Sequence, residues 1–128
     1  MSEQSHPRSR QHLEMLLRKL ANELPEPLAS FAQLNKHAMA DGALSKRTKE
    51  LIALGIAIGA RCDGCITWHV LEALRAGAPR QELLETIGVA LLMGGGPAVI
   101  YGCEAVEALE QFETELAEER AVQQRDCD

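Results

Sequence analysis

Cys62, Cys65 and His69 lie in the segment Cys62-Asp63-Gly64-Cys65-Ile66-Thr67-Trp68-His69, so two thiols and an imidazole recur at intervals of three and four residues. On an α-helix these intervals share one face. Cysteines three apart on a helix stand about 5 to 6 Å apart between Cα atoms, a separation that a disulfide spans without moving the backbone. The pair can therefore cycle between dithiol and disulfide. His69 stands one turn beyond Cys65, where it can take or return a thiol proton, and such an acceptor separates a reactive cysteine from an inert one. Which sulfur attacks first stays open on these grounds. Cys62 is nearer the helix N-terminus, whose dipole favours a thiolate, while Cys65 is nearer the histidine.

One more group is brought to the thiols if the chain reverses near Ala60 and Arg61. Glu50 and His69 are then nine or ten residues from the turn on either side, which sets them next to each other across a helical hairpin. The expected order is Glu50, His69, Cys65, Cys62, a line along which protons can pass to a dithiol. Simpler roles compete with this one. Glu50 can pair with Lys46 or Arg47 on its own helix, an exposed bridge of little energy. Cys62, Cys65 and His69 also offer three ligands to a metal, but zinc takes four, no second Cys-x-x-Cys exists, and Cys103 and Cys127 are isolated. Trp68 is expected to pack, and Cys103 to fill space as a small apolar side chain.

Composition narrows the setting. A chain of 128 residues with 46% hydrophobic content is sized for a single domain, 1–128, with its own core. Thirteen Lys and Arg against nineteen Asp and Glu give a net charge of −6, which argues against nucleic acid and against an anionic membrane surface as partners. The start Met1-Ser2-Glu3-Gln4-Ser5-His6 is polar, without the apolar stretch of a secretory leader, so a cytoplasmic location is expected. In a reducing compartment a Cys-x-x-Cys pair is more often catalytic, redox-sensing or metal-binding than a structural staple. Thr86 to Cys103 contains no charge, but Gly94-Gly95-Gly96-Pro97 breaks it into halves too short to span a bilayer.

The elements that must position the motif read as helices separated by Gly and Pro, with no alternating strand pattern, so the fold class is all-α with about six helices. Leu13, Leu16, Leu17, Leu20 and Leu24 form one face of a first helix that stops before Pro25. A second, from about Glu26 to Ala40, is expected to bury Leu28, Phe31, Leu34 and Met39. Ser45 caps a third that runs to about Gly59, the fourth carries the Cys/His face to Gly77, Pro79 opens a fifth reaching Met93, and Pro97 opens a last one. Val122 to Asp128 is expected to fray. Leu51 to Ala60, Ile87 to Met93 and Ala98 to Tyr101 are apolar nearly all round. So small a core cannot hide every face of them, and a homo-oligomer is expected.

Glu50, Cys62, Cys65 and His69, set within Glu50-Leu51-Ile52-Ala53-Leu54 and followed by Met93-Gly94-Gly95-Gly96-Pro97, resemble the alkyl hydroperoxidase D group of the carboxymuconolactone decarboxylase-like superfamily. The resemblance spans roughly Leu44 to Gly102. It implies a helical bundle, assembly as trimers or hexamers, and a peroxidase or disulfide reductase that needs no metal or haem cofactor. Its substrates would be a hydroperoxide and an external thiol reductant or redox adaptor protein. Carried over, Cys65 is the residue that peroxide oxidises to a sulfenic acid, Cys62 the proton donor and resolving thiol, and Glu50 and His69 the groups that pass protons. Familiar members of the group carry a histidine just before the second cysteine, where this chain has Gly64. True lactone decarboxylases of this fold lack the cysteine pair, which sets that reaction aside. The alternative to an enzyme is a redox sensor or binding subunit, in which the same disulfide alters contacts and does not turn over.

Overall fold

Serine and proline set where the helices begin. In the computed structural model, which describes residues 4–128, α1 (His6–Glu23) starts behind Ser5, whose hydroxyl accepts from the Arg8 N–H at 3.4 Å. Met1, Ser2 and Glu3, part of the polar start discussed above, lie outside the described residues. One residue, Leu24, separates α1 from α2 (Pro25–Met39), which a proline opens. Ser45 caps α3 (Lys46–Gly59) by accepting from the Thr48 N–H at 3.1 Å. Then follow α4 (Asp63–Arg75), α5 (Arg80–Gly94) entered from Pro79, and α6 (Gly96–Cys127). No strand occurs among the described residues, and the all-α class with six helices is as expected.

The core lies among α3, α4, α5 and α6, which pack on one another. Leu54 and Ile58 of α3, Ile66 and Val70 of α4, Leu83 of α5, and Leu109 and Phe112 of α6 are fully buried. Each such side chain contributes about 1.5–3 kcal/mol by leaving water. Between α5 and α6 only Gly95 departs from helix, at φ 68°, a left-handed value that a side chain resists. That break divides the uncharged Thr86–Cys103 stretch, and among the described residues no helix is long and apolar enough to cross a membrane.

The leucine face of α1 lies largely in solvent: Leu16, Leu17, Leu20 and Leu24 are 40 to 48% exposed, and the residues that α1 buries are His6 and Arg10. Three expectations need correction. No residue of α2 is buried, and Phe31 and Leu34 are 67% and 61% exposed. The reason is that α2 touches only α1 and α3, so its apolar side has no second layer to meet. Cys103 is exposed and free, not packed. The C-terminal residues stay helical to Cys127, with exposed side chains throughout, because α6 continues as one 32-residue helix past the body of the bundle.

Candidate active site

The α3–α4 turn fixes the site. Its N–H groups turn back onto the end of α3: Ala60 donates to the Ile56 carbonyl at 2.8 Å, Arg61 to Ile58 at 3.1 Å and Cys62 to Ala57 at 3.1 Å. Arg61 takes φ 57°, the left-handed conformation that reverses the chain. Cys62 is therefore the N-cap of α4, and its sulfur accepts from the Cys65 N–H at 3.2 Å. Helix N-termini concentrate donors and positive potential, so a thiolate formed here would meet both. Cys62 and Cys65 are joined as a disulfide with Cα atoms 5.2 Å apart. Cys65 is exposed and Cys62 half-buried, so the sulfurs face solvent from the end of a helix whose other side is core.

His69 sits one turn after Cys65, and its Nδ1 donates to Glu50 Oε2 at 2.8 Å. Glu50 is 3% exposed. A carboxylate on Nδ1 fixes the neutral ring with its lone pair on Nε2, the nitrogen left to accept a proton. Of the cations that could have claimed Glu50 on its own helix, Arg47 turns instead to Glu82 at 3.2 Å, and the ion pair that Glu50 makes among the described residues is with His69. A pocket of about 360 Å³ between α2, α3 and α4 is lined by Asn35, Met39, Lys46, Glu50, Trp68 and others, and gives the buried carboxyl a route to water. Neither cysteine lines it. Among the described residues no group of three or more His, Cys, Asp and Glu is arranged to hold a metal ion.

Two polar clusters that the motif does not announce flank this helix. On one side, the Arg10 guanidinium of α1 lies 3.3 Å above the Trp68 ring, donates to Glu14 and Glu72 at 2.9 and 2.8 Å, and reaches the Trp68 carbonyl at 3.3 Å. Trp68 thus packs as expected, but against a buried cation that clamps α1 to α4. On the other side, His6 is fully buried between α4 and α6. Its backbone N–H donates to Gln111 at 2.7 Å, its Nε2 donates to Glu107 at 3.2 Å, and the Thr67 hydroxyl meets its Nδ1 at 2.7 Å. Burial holds the imidazole below the usual histidine range, against the pull of Glu107.

Glu104, one turn before Glu107, has a buried Oε2 with no hydrogen-bond partner. Burial, contact with Asp63 and the charge of Glu107 push its carboxyl up to about 7. These residues carry a pattern the sequence does contain: His6 and Arg10 four apart on α1, and Glu104, Glu107 and Gln111 three and four apart on α6. Only the docking of α1 reveals that His6 meets Glu107 and Gln111 of α6 while Arg10 turns to Trp68 and Glu72 of α4.

Gly64 is explained here too. A Cβ at position 64 would come within 3.1 Å of Leu13 Cδ1, so the bare residue lets α1 lie close over the turn that holds the thiols.

Comparison with known proteins agrees with this fold. A model of the carboxymuconolactone decarboxylase family matches residues 25–108. An uncharacterized protein of Cupriavidus necator is 37% identical over 87 residues, covering 68% of this chain and 77% of that one. A carboxymuconolactone decarboxylase family protein from Legionella pneumophila, solved in its apo form, is 43% identical and superposes with a TM-score of 0.81 over 84% of this chain and 96% of its own. Another family member, from Thermotoga maritima and suggested to take part in the antioxidative response, is 30% identical with a TM-score of 0.66, over 70% and 93% of the two chains. With the family match spanning most of the sequence and two solved members sharing the helical fold, this chain belongs to the carboxymuconolactone decarboxylase family.

Proposed function

We propose that this protein is a thiol-dependent peroxidase or disulfide reductase whose redox centre is Cys62 and Cys65. The observation that carries the reading is the cysteine pair itself, at disulfide distance on the N-terminus of α4, with His69 one turn on and bound to Glu50. The Thermotoga relative's suggested antioxidative role points the same way.

In the peroxidase cycle the Cys65 thiolate attacks the outer oxygen of a hydroperoxide. The O–O bond breaks, the alkoxide leaves with a proton as alcohol, and Cys65 becomes a sulfenic acid. Cys62 then attacks that sulfur, the hydroxyl departs with a proton as water, and the disulfide forms. An external dithiol or a redox adaptor protein returns two electrons and two protons. His69 takes the Cys65 proton on Nε2, and Glu50 holds the ring and exchanges protons with water through the α2–α4 pocket. No metal or haem is required for this sequence of steps. We place the cycle in the cytoplasm, where thiol reductants are abundant, and assign it to a homo-oligomer of three or six chains.

Steady-state peroxide consumption with excess dithiol tests the proposal. An enzyme consumes many equivalents per chain. A non-enzymatic sensor consumes one and stops.

A further inference from the structure

The first helix holds one wall of the pocket that opens onto Glu50. That wall is the contribution of α4, the residues Trp68 and Glu72, and Arg10 of α1 holds both. The buried Arg10 guanidinium lies 3.3 Å over the Trp68 ring, while its Nη2 donates to Glu72 at 2.8 Å, its Nη1 to the Trp68 carbonyl at 3.3 Å and its Nε to Glu14 at 2.9 Å. Because α2 packs on α1 and α3 and not on α4, the indole is held from the α1 side. The remaining charged groups on the pocket are Lys36 of α2 and Lys46 of α3, and among the described residues neither pairs with Glu50, whose partner is His69. Elsewhere around α3, Lys49 turns to the Ala40 carbonyl, and Glu82 of α5 is paired with Arg47. Arg10 lies outside the 25–108 span that the family model matches, so this hold belongs to the chain's own first helix.

We propose that Arg10 is a positioning residue for Cys65: it fixes the Trp68 wall that limits water around the Glu50–His69 contact, and through that contact it sets how readily the Cys65 thiol gives up its proton. A carboxylate–imidazole hydrogen bond is stronger where water is limited. Freeing the indole widens the pocket onto Glu50, hydrates the carboxylate and loosens its hold on the ring. His69 then becomes a weaker acceptor for the thiol proton. Arg10 touches neither sulfur nor substrate in this scheme. The inference rests on reading Glu50 and His69 as proton-passing partners of a working dithiol, and it names the element that holds them to the task.

The test is alkylation of reduced protein by iodoacetamide from pH 5 to 9, in a Cys62→Ser background where serine can still cap α4 and Cys65 is the one motif thiol. Quantifying the modified Cys65 peptide by mass spectrometry excludes Cys103 and Cys127. Adding Arg10→Lys keeps the charge and the aliphatic stem but loses the planar fork that lies on the ring and reaches Glu14 and Glu72. A change then reports geometry and not a lost cation. Acrylamide quenching of Trp68, the chain's one tryptophan, should increase. Alkylation should slow by about threefold or more at pH 6 to 7, where the thiol depends on its acceptor, and meet the parent rate by pH 9, where it ionises unaided. Trp68→Leu removes the wall itself and leaves the His6 contacts of α1 untouched. It should slow alkylation with the same pH dependence, and it serves where Arg10→Lys fails to fold. Unchanged quenching in Arg10→Lys, a profile superimposed on the parent in either variant, or slowing equal at every pH would overturn the proposal. Because the readout needs no peroxide turnover, a protein that fails as a peroxidase can still pass or fail it.

Discussion

At the scale of single residues, the cysteine pair should divide the four thiols into two classes. Cys62→Ser and Cys65→Ser are each expected to abolish multiple turnover in a peroxide assay, whereas Cys103→Ser and Cys127→Ser, free thiols at exposed sites on α6, should leave it nearly intact. In Cys62→Ser the sulfenic acid on Cys65 should become trappable by a dimedone-type probe, since no resolving thiol remains. Full activity in Cys65→Ser would remove it as the attacking sulfur. Glu50→Gln separates a relay from a scaffold. General acid–base partners typically contribute about 10²- to 10⁴-fold, so a relay predicts at least about a tenfold loss in thiol oxidation rate with a changed pH profile. A merely structural Glu50 predicts an unchanged rate from pH 5 to 9. The neighbourhood of Glu50 and His69 was legible in the sequence because a short hairpin fixes register: residues equally far from the turn meet, and the two stand 2.8 Å apart. His6 and Glu107, 101 positions apart, were not, because their contact depends on how the first helix docks on the last.

At the scale of elements, α1 is held by polar contacts more than by the leucines that define its sequence pattern. Those leucines satisfy a helical period as well as any core face would, so periodicity gave the helix and left its environment open. For α2 the expected burial fails, because its apolar residues lack a covering layer. A seam built on His6 and Glu104 should respond to pH with opposite slopes. Burial lowers the His6 pKa from 6.5, so its contribution to stability is present above 6.5 and lost as pH falls through the folded value. Glu104 is raised from 4.5 to about 7, so its contribution is full below 4.5 and lost as pH rises through about 7. Single variants should expose each slope. Relative to the parent, Glu104→Gln should gain in thermal midpoint as pH rises from 4.5 to 7, and His6→Gln should gain as pH falls below 6.5. Melting curves over this range check both, and variant-minus-parent differences that do not change with pH would refute them.

At the scale of the whole molecule, one subunit leaves a run of large apolar side chains in water, and assembly with copies of the same chain is the predicted outcome. Ile56 is 65% exposed, Val89 62%, Leu92 and Met93 81% each, and Ile100 63%, and all lie on α3, α5 and the first turns of α6. The other faces of these helices form the core, which is why their sequences read as apolar all round. A monomer rarely exposes so many large apolar side chains on neighbouring helices, and burying them against copies of the same chain releases ordered water without new chemistry. Light scattering on the purified protein should therefore give a mass at least twice the chain's 14.0 kDa, and three or six times it if the assembly follows the resemblance. Leu92→Glu with Met93→Glu places two charges in that surface and should drive the assembly toward monomer, since an unpaired buried carboxylate is far costlier than an exposed one. The peroxide assay on that variant then tells whether the subunit suffices for chemistry. Cys65, His69 and Glu50 all come from one chain, so loss of assembly with retained turnover is the expected pair of results. A parent protein that is monomeric at micromolar concentration would contradict the prediction.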